Sequence, residues 1–383
     1  MNREIFEEEH EEFRRSFRRF LDVEAVPHAR EWEAEHVVDR TFWPKAGALG
    51  FLGFEAPERF GGLGIADFRY NAVVVEETAL SGMAGDNFSL HNDIVAPYLV
   101  EYATEEQQER WLPGFVEGTT VTAIAMTEPG AGSDLAAIQT KGRIEGDEVV
   151  IDGSKTFITN GSQADLVIAL VRTGEGDGRG LTLVAVEGGT PGFTRGTPLV
   201  KAGRMAQDTA ELAFSDCRVP VANIIGERGR AFDIVKRNLP RERLSIAVNA
   251  VASARRGLAL AVEHATTRTT FGKPLAEHQV VRHTLAELHT AVEVAGSHVD
   301  RCILALNAGE LSAAEAAGAK YWATELEGRV LDEALQLFGG YGYMDEYPIS
   351  RMWRDARIQR IYGGASAIML DIVGRDLTRS VPA

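Results

Sequence analysis

Cysteine is nearly absent: two in 383 residues leave no disulfide framework. Cys217 and Cys302 lie far apart, flanked by strand-like and helix-like apolar patterns, and read as buried free thiols in a reducing, cytoplasmic compartment. No apolar run reaches the roughly 18 residues of a membrane span. The first twenty residues alternate acidic and basic side chains with phenylalanines at helical spacing, so they read as a first folded helix rather than a signal or transit segment. Positive charge is also short: 40 basic against 56 acidic side chains give −16, which disfavours nucleic acid and anionic lipid. A phosphate ligand would need a local basic cluster. Several catalytic signatures are missing as well. Gly130-Ala131-Gly132 begins like a dinucleotide fingerprint, but Leu135 stands at the third glycine position. Gly272-Lys273 is followed by Pro274 and is no P-loop, there is no G-x-S-x-G or H-E-x-x-H, and the nine histidines show no metal-ligand spacing.

What is present changes period twice. From residue 1 to about 120 apolar residues recur at three and four, as in Phe13, Phe17, Phe20 and Leu21, which predicts helices. From 121 to 225 short β-branched runs separated by glycine predict a sheet of antiparallel strands at Val121–Met126, Val149–Ile151, Asp165–Val171, Leu181–Val186 and Thr209–Phe214. From 226 to 383 the helical period returns, with long segments at about 230–265, 277–306, 311–338 and 363–379. The fold class is α+β, with an N-terminal helical domain (1–120), a middle antiparallel β domain (121–225) and a C-terminal helical, bundle-like domain (226–383). Pro97 falls inside one helical pattern, where it would kink a helix. Pro240 falls inside another, where it should break or restart the helix and leave Glu242 near a helical N-terminus.

The run Ala125-Met126-Thr127-Glu128-Pro129-Gly130-Ala131-Gly132-Ser133-Asp134 leaves a strand for a glycine-rich bend where hydroxyls and exposed amides converge, an arrangement suited to anionic ligands. It resembles the first signature of the acyl-CoA dehydrogenases. Gln336-Leu337-Phe338-Gly339-Gly340-Tyr341-Gly342-Tyr343, with Glu346, Arg351 and Asp355 beyond it, resembles the second. Phe157-Ile158-Thr159-Asn160-Gly161, Arg268-Thr269-Thr270-Phe271-Gly272-Lys273 and Ile361-Tyr362-Gly363-Gly364 match in family order, so the resemblance spans essentially the whole chain. Leu239 to Leu244, Ala319 to Ala323 and Glu346 to Ile349 are most similar to the long-chain branch.

The resemblance implies FAD as cofactor, an acyl-CoA substrate, an electron-transfer flavoprotein as acceptor and a homotetramer. It implies that Ile124, Met126, Thr127, Gly132 and Ser133 line the flavin and its phosphates, with Ser133 also near substrate, and that Phe157, Ile158 and Thr159 cover the flavin edge. Arg268, Phe271, Gln279, Gln336, Leu337, Gly339 and Gly340 would reach the FAD of a neighbouring subunit, with arginine suited to a pyrophosphate by its planar fork. Ala365 and Ala367 stand where relatives carry a hydroxyl and a carboxylate, which would loosen the adenosine end.

Many relatives place the catalytic glutamate directly after the tyrosine matching Tyr362; here that position is Gly363. Long-chain and isovaleryl-type relatives carry it at the position of Glu242, which this chain retains, so the resemblance implies a relocated base. Ser245, Ile246 and Asn249 share its helical face, a mixed one. The implied reaction removes a proton from the α carbon and a hydride, to flavin N5, from the β carbon, giving the trans-2-enoyl-CoA. The Gly363 amide and a ribityl hydroxyl would hold the thioester oxygen, with Arg243 and Gly364 beside the substrate. Gly363 would also leave open the space a glutamate fills elsewhere. An oxidase or flavin monooxygenase of the same fold, or a silent acyl-CoA-binding protein, are the competing readings.

Overall fold

The structure, a computed structural model, describes residues 3–83, 87–174 and 180–379. It opens with helices α1 (Glu8–Glu24), α2 (Ala29–Glu35), α3 (Phe42–Ala48), α4 (Phe68–Ser81), the single turn α5 (Asn87–Ser89), α6 (Ala96–Glu101) and α7 (Glu105–Glu117). Their starts are written in the sequence: Asp67 accepts the Arg69 amide ahead of α4, and Thr104 with Gln107 forms a capping box on α7. The three-and-four spacing of α1 buries Phe17, Phe20 and Leu21, and Phe17 meets Phe51 and Phe88 edge-on at 5.0 and 5.1 Å.

Strands β1 (Thr122–Ala125), β2 (Lys141–Glu145), β3 (Glu148–Thr159), β4 (Leu166–Arg172), β5 (Leu181–Glu187), β6 (Phe193–Arg195), β7 (Thr209–Pro220) and β8 (Ile224–Ile225) form one sheet in the order β6-β7-β3-β2-β4-β5-β8, with β1 against β4. The antiparallel expectation holds for most pairs and fails for two: β1 runs parallel to β4, and β2 touches β4 in parallel at Lys141 and Arg172. Between β1 and β4 the chain makes the glycine-rich bend and the β2–β3 hairpin, the crossover a parallel pair needs. Strand β4 is buried on both faces. Leu166, Ile168 and Leu170 pack with Tyr98, Leu99 and Phe115 of the first helices, and Val167, Ala169 and Val171 pack with Val184 and Ile151.

The chain continues through α8 (Ala231–Thr267), a hairpin of β9 (Thr269–Thr270) and β10 (Lys273–Pro274), α9 (Gln279–Asn307), α10 (Ala313–Phe338), α11 (Pro348–Ala356) and α12 (Ser366–Arg379). Val248 and Val251 of α8, Leu288 and Val292 of α9 and Val330 of α10 share one core. Pro240 neither breaks nor restarts α8. The carbonyl that proline leaves unpaired, four residues earlier, belongs to exposed Lys236, where water can serve it, while buried Asn238, Glu242 and Leu244 hold both flanks in place. Both cysteines are free and buried, and burial pushes each thiol up to about 11.

Candidate active site

Glu242 therefore sits in the fourth turn of α8 rather than at a helical N-terminus. Facing it is α6. The residues just before α6, Leu90–Val95, form a π-helical turn that runs straight into it, and Pro97 stands in the first turn of α6 just after that widened turn. Pro97 therefore lies inside a helical run that is continuous from Asn87 to Glu101, with the π turn as its irregularity, and Tyr98 follows directly. The Tyr98 phenol is fully buried and donates to Glu242 Oε1 at 3.3 Å. Burial pushes the Glu242 carboxyl up to about 7, against the opposing pull of Tyr98 and the Arg243 charge. The face below is mixed, with buried polar Ser245 and Asn249 beside half-buried, apolar Ile246. Ser245 donates to Asp93, which accepts from Asn71 at 2.7 Å, and Asn249 accepts from Gln359 at 2.7 Å.

The turn at residues 362–364 lies against this helix. Gly363 and Gly364 take φ of +62° and +105°, which disfavour any side chain. Arg243 Nε donates to the Gly363 carbonyl at 3.3 Å, and Lys320 Nζ donates to the Gly364 carbonyl at 2.7 Å. Lys320 is fully buried, and burial followed by the Arg243 charge lowers its amine to about 8, opposed by Glu325. The space expected beside Gly363 is not open: a Cβ there would overlap Ile246 Cδ1, so the isoleucine already fills it.

On the sheet side, Ile124, Met126 and Thr127 are half-buried where β1 ends, and the Thr127 carbonyl accepts the Thr156 amide at 2.9 Å. Beneath them lies a buried ion pair that sequence reasoning missed. Lys155 Nζ reaches Glu128 at 2.8 Å, the Met126 carbonyl at 3.2 Å and the Leu170 carbonyl at 2.6 Å, while Glu128 also accepts the Gln139 and Thr140 amides. Burial lowers Lys155 to about 8, with Glu128 pulling the other way. The pair fixes the strand end by serving four backbone groups, two carbonyls and two amides. Gly132 and Ser133 are exposed on the bend. Ile158 is buried and Thr159 half-buried, whereas Phe157 is 67% exposed at φ +59°, thrown outward where the β3–β7 register shifts. Phe157 and Thr159 line a cleft of about 470 Å³ with Gln207, Arg357, Ile361 and Tyr362.

A second set of candidates stands elsewhere on the surface. Arg268, Gln279, Gln336, Gly339 and Gly340 are exposed and Leu337 is half-buried. The Arg268 guanidinium lies 6.0 Å from the Tyr341 ring. Phe271 is 97% exposed at the tip of the β9–β10 hairpin, where Phe271 and Gly272 both have positive φ, the pattern of a type I′ turn. Phe271 stands 6.2 Å from the His278 ring, Gln279 lies beside His283, and the Gly339 amide donates to the Gln336 carbonyl. Ala365 precedes α12, its carbonyl accepting the Ile368 and Met369 amides; its methyl offers the helix no capping oxygen, and Ala367 is exposed.

Three sequence families describe successive stretches of the chain: Acyl-CoA dehydrogenase, N-terminal domain, over residues 7–119; the middle domain over 123–217; and the C-terminal domain over 229–378. The long-chain specific acyl-CoA dehydrogenase of Sus scrofa mitochondria is 44% identical over 98% of this chain and 88% of its own. A solved acyl-CoA dehydrogenase from Geobacillus kaustophilus superposes with a TM-score of 0.96 at 45% identity, covering 98% of this chain and 100% of its own. An acyl-CoA dehydrogenase from Bacillus anthracis, solved with FAD, has a TM-score of 0.92 at 30% identity, over 99% of this chain and 69% of its own.

Proposed function

The chain belongs to the acyl-CoA dehydrogenase family, and from that premise we propose that Glu242 is the base in its FAD-dependent α,β-dehydrogenation of acyl-CoA thioesters. The protein is an acyl-CoA dehydrogenase, a flavoprotein oxidoreductase. The observation that carries the assignment is a buried carboxyl on the stretch of α8 that meets the Tyr362–Gly364 turn through Arg243 and Ile246, pushed up to about 7 by that burial, in a chain whose position 363 has no side chain. A base poised near the working pH transfers protons best.

The residues present fit FAD. An aromatic ring held outward over a cleft, a half-buried threonine at a fixed strand end and side-chain-free Gly132 offer a flat group both a face and close backbone approach. Ile124, Met126, Thr127, Ser133, Ile158 and Thr159 would hold its near part. Arg268, Phe271, Gln279, Gln336, Leu337, Gly339 and Gly340 would hold that of a neighbouring copy, making a homotetramer. When bound, FAD accepts the hydride that leaves the β carbon. Glu242 takes the α proton, and its burial raises basicity at the cost of needing pH above its own ionisation. The Gly363 amide donates to the thioester oxygen as negative charge grows there, while Arg243 and Lys320 hold the neighbouring carbonyls away from it. Electrons leave to an electron-transfer flavoprotein. The mammalian relative supports beginning a substrate series with long acyl chains; the two buried free thiols support a reducing, cytoplasmic setting, and the changes of apolar period support three units, 1–120, 121–225 and 226–383.

Anaerobic single-turnover mixing with acyl-CoA tests the assignment. Glu242→Gln should retain FAD and bind substrate while flavin reduction falls by at least about 10² to 10⁴-fold. Reduction at the parental rate would remove Glu242 from the mechanism.

A further inference from the structure

Resting on the reading of Glu242 as the base, we propose that Tyr98 is a positioning residue for it, holding one carboxylate oxygen so that the other faces the α hydrogen. The contact is 3.3 Å, from the phenol to Oε1, and both side chains are buried, so neither can exchange its partner for water. The phenol does not arrive there by chance packing of a long helix. The π turn at Leu90–Val95 and Pro97 in the first turn of α6 fix the segment from which Tyr98 projects. A phenylalanine would fill the same volume and leave Oε1 bare.

From the elements around this part of α8 come Tyr98 of α6 and Tyr102 just after it, Asp93 of the π turn, Lys320 of α10 and Tyr362, with Arg243 on α8 itself. Asp93 faces Ser245, while Arg243 and Lys320 face the carbonyls of the 363–364 turn, so it is Tyr98 that reaches the carboxylate. Burial, with Glu242 adding to it, keeps the phenol's own ionisation well above the usual tyrosine value, so it remains a donor wherever the base works. Donating to the anion favours the anion. Removing that donor must raise the carboxyl's ionisation further.

The test follows the second-order rate constant of flavin reduction against pH, which reports the free enzyme. An infrared titration of the Glu242 carboxyl band in substrate-free protein, assigned by its loss in Glu242→Gln, gives a readout independent of turnover. In Tyr98→Phe both midpoints should rise by about one pH unit, with a roughly tenfold slower reaction below neutrality and near-parental rates at high pH. An equal loss at every pH with unmoved midpoints, or no loss at all, overturns the inference. Should Tyr98→Phe fail to fold, 3-fluorotyrosine at position 98, a more acidic donor of the same shape, must lower the midpoints; unmoved midpoints again overturn it. A kinetic midpoint that persists in Glu242→Gln overturns the base assignment and this inference with it. If that midpoint vanishes in Glu242→Gln while Tyr98→Phe leaves it unmoved, only Tyr98 is dismissed.

Discussion

Around Glu242 the neighbours are buried and belong to the same chain: Tyr98 bonds the carboxyl, Ser245 bonds Asp93, and Arg243 and Lys320 hold the 363–364 turn. Arg268, Phe271, Gln279 and Gln336 have the opposite character, standing exposed on the surface. The proposed proton-handling half of the site is therefore preorganised when one chain folds, while the proposed outer cofactor set stands open on the surface. Substitutions in the first half should change rates and pH profiles with the flavin retained. Substitutions in the second should change flavin retention with little effect on the chemistry of molecules that keep it.

The sharpest way to break that contrast moves the carboxylate. In Glu242→Gln, adding Gly363→Glu alone should restore little flavin reduction, since a side chain at φ +62° costs about 1 to 2 kcal/mol and Ile246 occupies its first atoms. Adding Ile246→Ala as well should raise the single-turnover rate at least about tenfold above that double variant, best with short straight acyl chains. Equal rates with and without Ile246→Ala would mean the isoleucine is no obstacle. Next in size, Arg268→Ala should weaken FAD retention by about 10- to 100-fold, from loss of a charge-assisted pair, while flavin-loaded molecules are reduced at near-parental rates. Full retention, read by dialysis and absorbance, would take Arg268 out of the cofactor site. The smallest effect expected is that of Ala365→Thr, which gives α12 a capping oxygen and should add about 0.5 to 2 kcal/mol of stability to apoprotein as well as holoprotein. Stabilisation confined to the FAD-loaded form would instead assign position 365 to cofactor binding.

The helix, sheet, helix plan was legible because each segment keeps one apolar period over many residues. Strand β2, charged along Lys141-Gly142-Arg143, and three-residue β6 carry too little pattern to be seen. Pro240 misled because local preference weighs less than the buried flanks of α8. At the site, residue types and signature spacing pointed to Glu242, Gly363 and Phe157, but contacts between distant segments could not be read: Ile246 against Gly363, Tyr98 against Glu242. Lys155 and Lys320 left one usable signal, a lone lysine among small or apolar neighbours, as in Ala319-Lys320-Tyr321-Trp322, where burial demands acceptors.

The hairpin that carries Phe271 also bears on time. Its two-residue turn closes as the chain folds, with both central residues already in their left-handed conformations. Whatever surface receives the ring meets a rigid projection, so most of the ordering entropy of that tip has been surrendered beforehand. Its capture is then an encounter limited by diffusion and orientation, fast to form and governed in lifetime by how well the receiving pocket holds the ring.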